Sequence, residues 1–176
     1  MERMSGLDGA FLSLESSTTH LHILGALLFD PTGVPGGVDF WRIRDLVADR
    51  VSLVEPFRKR VVEVPFGLQH PAMVDDPEFD VDYHVRRASL PDPGGRTELA
   101  ELVADLASRP LDRRRPLWEF HVVEGLEHGL LAVVPKIHHS IIDGVSAAEV
   151  MAAFFDLSPQ PPPRSLFGAS GRRRPG

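Results

Sequence analysis

The feature that most constrains the fold is an apolar run that ends in two histidines just before a glycine turn. Residues 130–139, LLAVVPKIHH, are mostly aliphatic and β-branched and are bounded by turn residues. Such a run predicts a buried strand. The alternating segment LWEFHVVEGL, residues 117–126, is joined to it by a short connection at 127–129. The two segments are therefore expected to form neighbouring strands.

Three segments place apolar residues at helical spacing. They cover residues 40–52, 97–111 and 145–157, and each is expected to pack one face against a core. Asp39 is expected to cap the first helix and Thr97 the second, because a side-chain oxygen at that position accepts a hydrogen bond from a free backbone N–H.

The segments before residue 90 are less regular. Residues 5–19 mix small, polar and apolar side chains without a sustained period, so a loop with one helical turn is expected there. Extended segments are expected over residues 20–30, 58–66 and 81–87 and around Met73. The order along the chain is then β-α-β-β-β-α-β-β-α, which predicts a mixed α/β layer architecture.

Length and composition favour one domain. The chain has 176 residues, of which 43% are hydrophobic, and this is enough for a single core. The domain is expected to cover residues 1–157. Proline, arginine and small residues dominate residues 158–176, which predicts a linker or tail.

Charge and residue usage exclude several classes of function. The formal net charge is -6 and there is no cysteine, which disfavours a nucleic-acid partner and removes thiolate chemistry. The first residues lack the apolar run of a signal peptide, and no stretch approaches the ~18 apolar residues of a membrane-spanning helix. A cytoplasmic protein is therefore expected.

The two adjacent histidines carry most of the chemical interest. Successive side chains of a strand point to opposite faces, so His138 and His139 are expected to face different sides and not to share a metal ion. One of them suits a general base, because imidazole has an ordinary pKa near ~6.5. Asp143 either orients the basic ring, as in a catalytic triad, or holds the loop by pairing with an arginine.

Two other groups of residues suggest metal binding but are interpreted otherwise. His20 and His22 share one face of the first long strand, yet no third ligand is nearby in the sequence, so they are expected to be surface or pocket-lining polar residues on a half-buried strand. The acidic residues between positions 75 and 82 lack the glycine and the terminal glutamate of an EF-hand loop. We expect a solvated turn there, and no metal site is predicted.

Several motifs taken together resemble one enzyme family. HHSIIDG, residues 138–144, has the HHxxxDG pattern, and it is preceded by LDGAFLSLES, by HPAMVDDPEFDVDYHVRR and by the tripeptide PLW. In order and spacing these segments resemble the N-terminal half of the bacterial wax ester synthase/diacylglycerol acyltransferases. The resemblance implies a chloramphenicol acetyltransferase-like half-domain, with a mixed β-sheet packed with about three helices. The same superfamily includes the condensation domains of peptide synthetases.

The resemblance also implies roles for individual residues. His139 would be the general base that activates an alcohol hydroxyl for attack on the thioester of acyl-CoA. His138 and Asp143 would support it, and Gly144 would permit the turn. The family marker Pro116, Leu117 and Trp118 would shape the fold or the acyl pocket. No cofactor is implied, because acyl-CoA is a substrate.

The implied partners are acyl-CoA and either diacylglycerol, giving triacylglycerol, or a long-chain alcohol, giving a wax ester. Members of the family have two such halves, so the chain is expected to need a complementing C-terminal half or a second copy of itself. Peripheral contact with the inner membrane or a lipid droplet is a further expectation. Two alternatives remain: a non-catalytic half-domain that binds lipid, CoA or a partner chain, and an amide-forming enzyme like a condensation domain.

Overall fold

The computed structural model describes residues 2–4, 6–16, 18–63, 70–142 and 147–155. In these ranges the strands are β1 (Glu2–Arg3), β2 (His22–Leu24), β3 (Leu27–Phe29), β4 (Lys59–Val62), β5 (Ala72–Asp75), β6 (Val85–Ser89), β7 (Trp118–Glu124) and β8 (Leu131–His138). The helices are α1 (Gly6–Leu14), α2 (Phe40–Arg50), α3 (Val81–His84), α4 (Arg96–Ser108) and α5 (Ala147–Phe154). Short 3₁₀ turns cover Val51–Leu53, Glu55–Arg58, Glu127–Gly129 and His139–Ile141.

The strands form two sheets. In the larger one β8 is central: it pairs antiparallel with β7 along one edge and with β2 and β3 along the other. β6 adds to β7 in parallel, and α4 lies in the connection between these two strands, as a parallel pair requires. β1, β5 and β4 form a smaller antiparallel sheet. The mixed α/β fold and its mixed sheet are thereby confirmed.

The larger sheet is covered on both faces. Trp118 and Phe120 lie on one face of β7 and belong to a core shared with α2 and α5. Val123 lies on the opposite face and belongs to a second core under α4. All eight residues of β8 are buried, as expected for a strand with apolar layers on both sides. Within the described ranges no helix is both long and apolar enough to span a bilayer.

Two predicted helix starts have different outcomes. Asp39 caps α2 as expected: its carboxylate accepts a hydrogen bond from the backbone N–H of Arg42 at 2.9 Å. The prediction of Thr97 as the cap of α4 is wrong, since this residue lies inside the helix and Gly95 is the N-cap. The Glu98 carboxylate reaches back to the Gly95 N–H at 2.8 Å and satisfies one of the donors that a helix start leaves free.

Three predictions for the first half of the chain need correction. The expected loop over residues 5–19 contains the nine-residue helix α1. The expected strand over 20–30 is divided into β2 and β3, which both pair with β8. The extended segment over 81–87 begins with the helical turn α3 before β6. The boundary at residue 157 and the tail lie outside the described residues.

Candidate active site

The end of β8 fixes both histidines of the HHSIIDG segment through backbone contacts. The N–H of His138 donates to the Leu117 carbonyl at 3.0 Å, and the N–H of His139 donates to the Leu21 carbonyl at 2.8 Å. The strand ends at His138, and the 3₁₀ turn His139–Ile141 follows. The two side chains differ in environment: His138 is 1% exposed, whereas His139 is exposed to solvent.

His138 has a defined tautomer. Its Nδ1 accepts a hydrogen bond from the backbone N–H of Ser140 at 3.1 Å and lies 2.7 Å from the Ser140 hydroxyl. Because a backbone N–H can only donate, Nδ1 carries a lone pair and the ring proton resides on Nε2. Burial lowers the pKa of His138 to about 4, with the positive charge of Arg113 adding to the effect. The ring is therefore neutral at pH 7.

The Nε2 atom of His138 faces Glu15, a residue just after α1. The distance from Nε2 to Glu15 Oε2 is 3.7 Å. Arg113 donates to this same carboxylate oxygen from Nη2 at 2.8 Å and from Nε at 3.2 Å, and to the Leu12 carbonyl at 2.6 Å. Burial raises the pKa of Glu15, but the hydrogen bonds and charge of Arg113 outweigh this effect and hold it below its usual range. Glu15 is therefore ionised.

His139 lies on the open side of the same turn. Its ring packs against the ring of Phe11 in α1, with the two planes tilted by 31° and 4.3 Å between the centroids. The following residues Ser140, Ile141 and Ile142 are buried and hold the turn against the core. The exposed imidazole is thus anchored by buried neighbours. The other two members of the predicted site, Asp143 and Gly144, lie outside the described residues.

The PLW segment lies in the core next to His138 and the 3₁₀ turn His139–Ile141, which together we call the histidine turn. Pro116 and Leu117 are buried, and Trp118 has no exposed surface. The Trp118 indole N–H donates to the Phe57 carbonyl at 2.8 Å, and its ring is stacked on His84 with 4.4 Å between the centroids. Since the Leu117 carbonyl also accepts the His138 N–H, this segment connects the core to the site.

The buried ring of His84 gives a prediction for stability against pH. Its Nδ1–H donates to the Trp118 carbonyl at 2.7 Å, and burial lowers the pKa of His84 below its usual value. The unfolded chain then binds a proton near pH ~6.5 that the folded chain does not, so stability is complete above this pH and falls on acidification. Between pH 7 and pH 5, we expect His84 to contribute a slope of up to about 1.4 kcal/mol per pH unit.

Urea unfolding of the wild type and of His84→Phe, at several pH values in this range, measures the effect. Phenylalanine keeps a ring beside Trp118 but cannot titrate, so its free energy of unfolding should vary less steeply with pH. Equal slopes in the two proteins would contradict the assignment.

Glu15 is also close to the two histidines of the β2 region. Its Oε1 lies 3.5 Å from His20 Nδ1 and 3.4 Å from His22 Nε2. The expectation that no third potential ligand accompanies His20 and His22 is therefore wrong. Burial, and then the charge of Lys136, lower the pKa of His22 to about 4. Glu15 lies within the family marker LDGAFLSLES, but nothing in the sequence pattern predicts its contacts with these histidines.

The comparisons with known proteins agree with the resemblance. The sequence model of the wax ester synthase/diacylglycerol acyltransferase catalytic domain matches residues 4–174. A putative diacylglycerol O-acyltransferase of Mycobacterium tuberculosis, Rv3087, is 41% identical over 163 residues, which are 93% of this chain and 34% of the relative. The chain thus spans about a third of that relative's length.

Solved structures support the same grouping. The wax ester synthase/diacylglycerol acyltransferase of Marinobacter aquaeolei VT8 superposes with a TM-score of 0.70 at 34% identity, over 85% of this chain and 37% of the other. The first condensation domain of the calcium-dependent antibiotic synthetase shares the fold, with a TM-score of 0.62 at 14% identity over 78% of this chain and 32% of the other. The chain belongs to the wax ester synthase/diacylglycerol acyltransferase family.

Proposed function

We propose that this chain supplies the general base for transfer of a fatty acyl group from acyl-CoA to the hydroxyl of diacylglycerol or of a long-chain alcohol. The observation that carries the proposal is the pair of neighbouring histidines in opposite environments: His139 is exposed at the end of a turn whose other residues are buried, and His138 is buried and neutral. The activity named for the mycobacterial relative, diacylglycerol O-acyltransferase, supports the reaction class.

The hydrogen bonds of the two rings favour His139 as the base. A general base needs a nitrogen lone pair within reach of the substrate hydroxyl. In His138, the Nδ1 lone pair is used by the Ser140 N–H, and the Nε2 proton faces Glu15. His139 packs against Phe11 and stays exposed to solvent. His138 is then a supporting residue that shapes the turn.

In the proposed reaction, one imidazole nitrogen of His139 takes the proton of the acceptor hydroxyl as its oxygen attacks the thioester carbonyl carbon. The resulting tetrahedral species breaks its carbon–sulfur bond, and the imidazolium returns the proton to the departing CoA sulfur. The products are the ester and free CoA. No covalent acyl-enzyme and no cofactor is required.

The remaining roles of the site follow from the same proposal. Asp143 supports the turn, either by orienting the basic ring or by pairing with an arginine, and Gly144 permits the change of chain direction. Because the chain spans about a third of the mycobacterial relative, we propose that a complementing C-terminal segment forms the opposite wall of the substrate tunnel. The exposed side of His139 is the surface that would face this segment.

The test is an acyl-transfer assay on the chain alone and on the chain fused to the unmatched part of the mycobacterial relative. Long-chain acyl-CoA is offered in mixed micelles with diacylglycerol, with hexadecanol or with hexadecylamine, and the lipid products are identified by mass spectrometry. We expect triacylglycerol or wax ester from the fusion.

The other outcomes separate the alternatives. Amide formed in preference to both esters would indicate a condensation-like enzyme. Binding of acyl-CoA without any product, in a fusion whose near-ultraviolet circular dichroism shows a folded core, would indicate a non-catalytic binding domain. Either result would overturn the proposed function.

A further inference from the structure

Three potential metal ligands meet behind the histidine turn. We call them the Glu15 cluster: Glu15 Oε1, His20 Nδ1 and His22 Nε2, which all lie within 4.8 Å of one another. His20 and His22 are two residues apart and their rings are stacked at 11°, with 5.3 Å between the centroids. Glu15 approaches from the end of α1, so the cluster joins two elements that are not neighbours in a sheet.

The nitrogen atoms of the cluster are buried without partners. The side chains of His22 and His20 are 1% and 8% exposed, and that of Glu15 is 10% exposed. Among the described residues, His20 Nδ1 and His22 Nε2 have no hydrogen-bond partner, since their 3.5 and 3.4 Å distances to Glu15 Oε1 are long for hydrogen bonds. Buried polar atoms normally have a partner, and both nitrogens lie near the same oxygen, Glu15 Oε1, which points to a ligand between them.

The distances from Glu15 to the two histidines fit a small tetrahedral ion. Bonds of ~2.0–2.1 Å from zinc to nitrogen or carboxylate oxygen place tetrahedral ligand atoms about 3.3–3.4 Å apart. The two distances to Glu15 Oε1 are 3.4 and 3.5 Å. Two imidazoles and one carboxylate suit zinc or a similar divalent transition metal, whereas calcium and magnesium favour all-oxygen sites.

We propose that Glu15, His20 and His22 bind a divalent transition-metal ion of the zinc class, with water in the fourth position. The second carboxylate oxygen of Glu15 is held by Arg113 and faces His138 Nε2, and such outer contacts orient a metal-binding carboxylate. This ion would connect α1 to β2 behind the turn that carries His139. The proposal is independent of acyl transfer, because it concerns binding and stability only.

The charges around the cluster set the expected affinity. Arg113 contacts Glu15, and the buried Lys136 lies on β8 opposite Leu24, two positions from the His22–His138 pair. Both cations oppose a further positive charge. We therefore expect weaker binding than that of structural zinc sites with four protein ligands.

The test uses the whole chain without a polyhistidine tag, after dialysis against a chelator. Titration with Co²⁺ is expected to give one equivalent of a four-coordinate visible spectrum, which Zn²⁺ then displaces, and calorimetry with Zn²⁺ gives the dissociation constant. Zn²⁺ is also expected to raise the thermal unfolding midpoint, because it binds the folded chain in preference to the unfolded one.

Variants of the proposed ligands and a matched control test whether the ion binds at the Glu15 cluster. Glu15→Gln and His20→Gln should each weaken Zn²⁺ binding by about 100-fold or more, since each removes a direct ligand. His20 is the less buried histidine of the cluster, so its substitution is expected to disturb folding less than a substitution of His22. His128→Asn is the control: His128 is exposed at the other end of β8, and its positive φ of 61° suits asparagine.

Binding that is equal in both ligand variants and the wild type would overturn the site, as would the absence of a one-to-one complex at millimolar Zn²⁺ in folded wild-type protein. Loss of binding in His128→Asn, with normal binding in His20→Gln, would place the ion elsewhere and overturn it too.

Discussion

Replacement of His139 by alanine is expected to lower acyl transfer by about 10²- to 10⁴-fold, the range that a positioned general base contributes. The loss should appear in kcat, because the base acts as the hydroxyl proton moves and contributes little to binding of acyl-CoA. The exposed position of this side chain predicts a change of at most about 0.5 kcal/mol in the free energy of unfolding. A large loss of rate with an intact fold is therefore the expected result.

The measurement compares kcat and KM for acyl-CoA in the fusion described above, with urea unfolding of each protein. His128→Asn is again the matched control, as an exposed histidine outside the site. Added imidazole should restore part of the rate in His139→Ala, because a small base can enter the space left by the missing ring. Turnover of His139→Ala at the wild-type rate would contradict the assignment of the base.

Replacement of Trp118 by alanine is expected to cost about 3–5 kcal/mol of the free energy of unfolding, as for other large aromatic residues removed from a core. Trp118 has no exposed surface and packs against Phe57, Phe120 and His84. The substitution also leaves the Phe57 carbonyl without its indole donor. Such a loss is a large part of the 5–15 kcal/mol that stabilises a typical domain.

Trp41 provides the control for Trp118. It is 61% exposed on α2, so Trp41→Ala should change the free energy of unfolding by about 0.5 kcal/mol or less. Trp118→Phe keeps one aromatic ring but removes the N–H donor and part of the ring volume, so its free energy of unfolding should lie between those of the wild type and Trp118→Ala. Urea denaturation of the three variants measures the differences. Similar costs for Trp118→Ala and Trp41→Ala would contradict the described core.

The elements around the site were predicted well where periodicity and burial agree. The adjacent strands β7 and β8 and the start of α2 at Asp39 follow from alternation, an apolar run and a capping side chain. Helix α1 was missed because its two glycines, Gly6 and Gly9, are poor helix formers and its apolar pattern is weak. Contacts from distant residues compensate: Arg113 donates to the Leu12 carbonyl, and Phe11 packs on His139.

The candidate site could be predicted only in part, because it too depends on contacts between residues that are distant in the sequence. The two histidines do differ in environment, since His138 is buried and His139 is exposed, but β8 ends at His138 and His139 belongs to the following 3₁₀ turn. The period of a strand predicts that they face different sides, but it does not say where the strand ends or which side is the interior, because that depends on the layers packed over β8. Glu15 was missed since it meets His138 only after strands far apart in the sequence have paired.

The backbone contacts of the histidine turn have a consequence for the order of folding. The His138 N–H donates to the carbonyl of Leu117, next to the start of β7, so this bond forms together with the β7–β8 hairpin. The His139 N–H donates to the carbonyl of Leu21, next to β2 and far away in the sequence. Closing so long a loop costs conformational entropy and slows folding. His139 is therefore expected to be fixed only when β2 pairs with β8, later than the hairpin that holds His138.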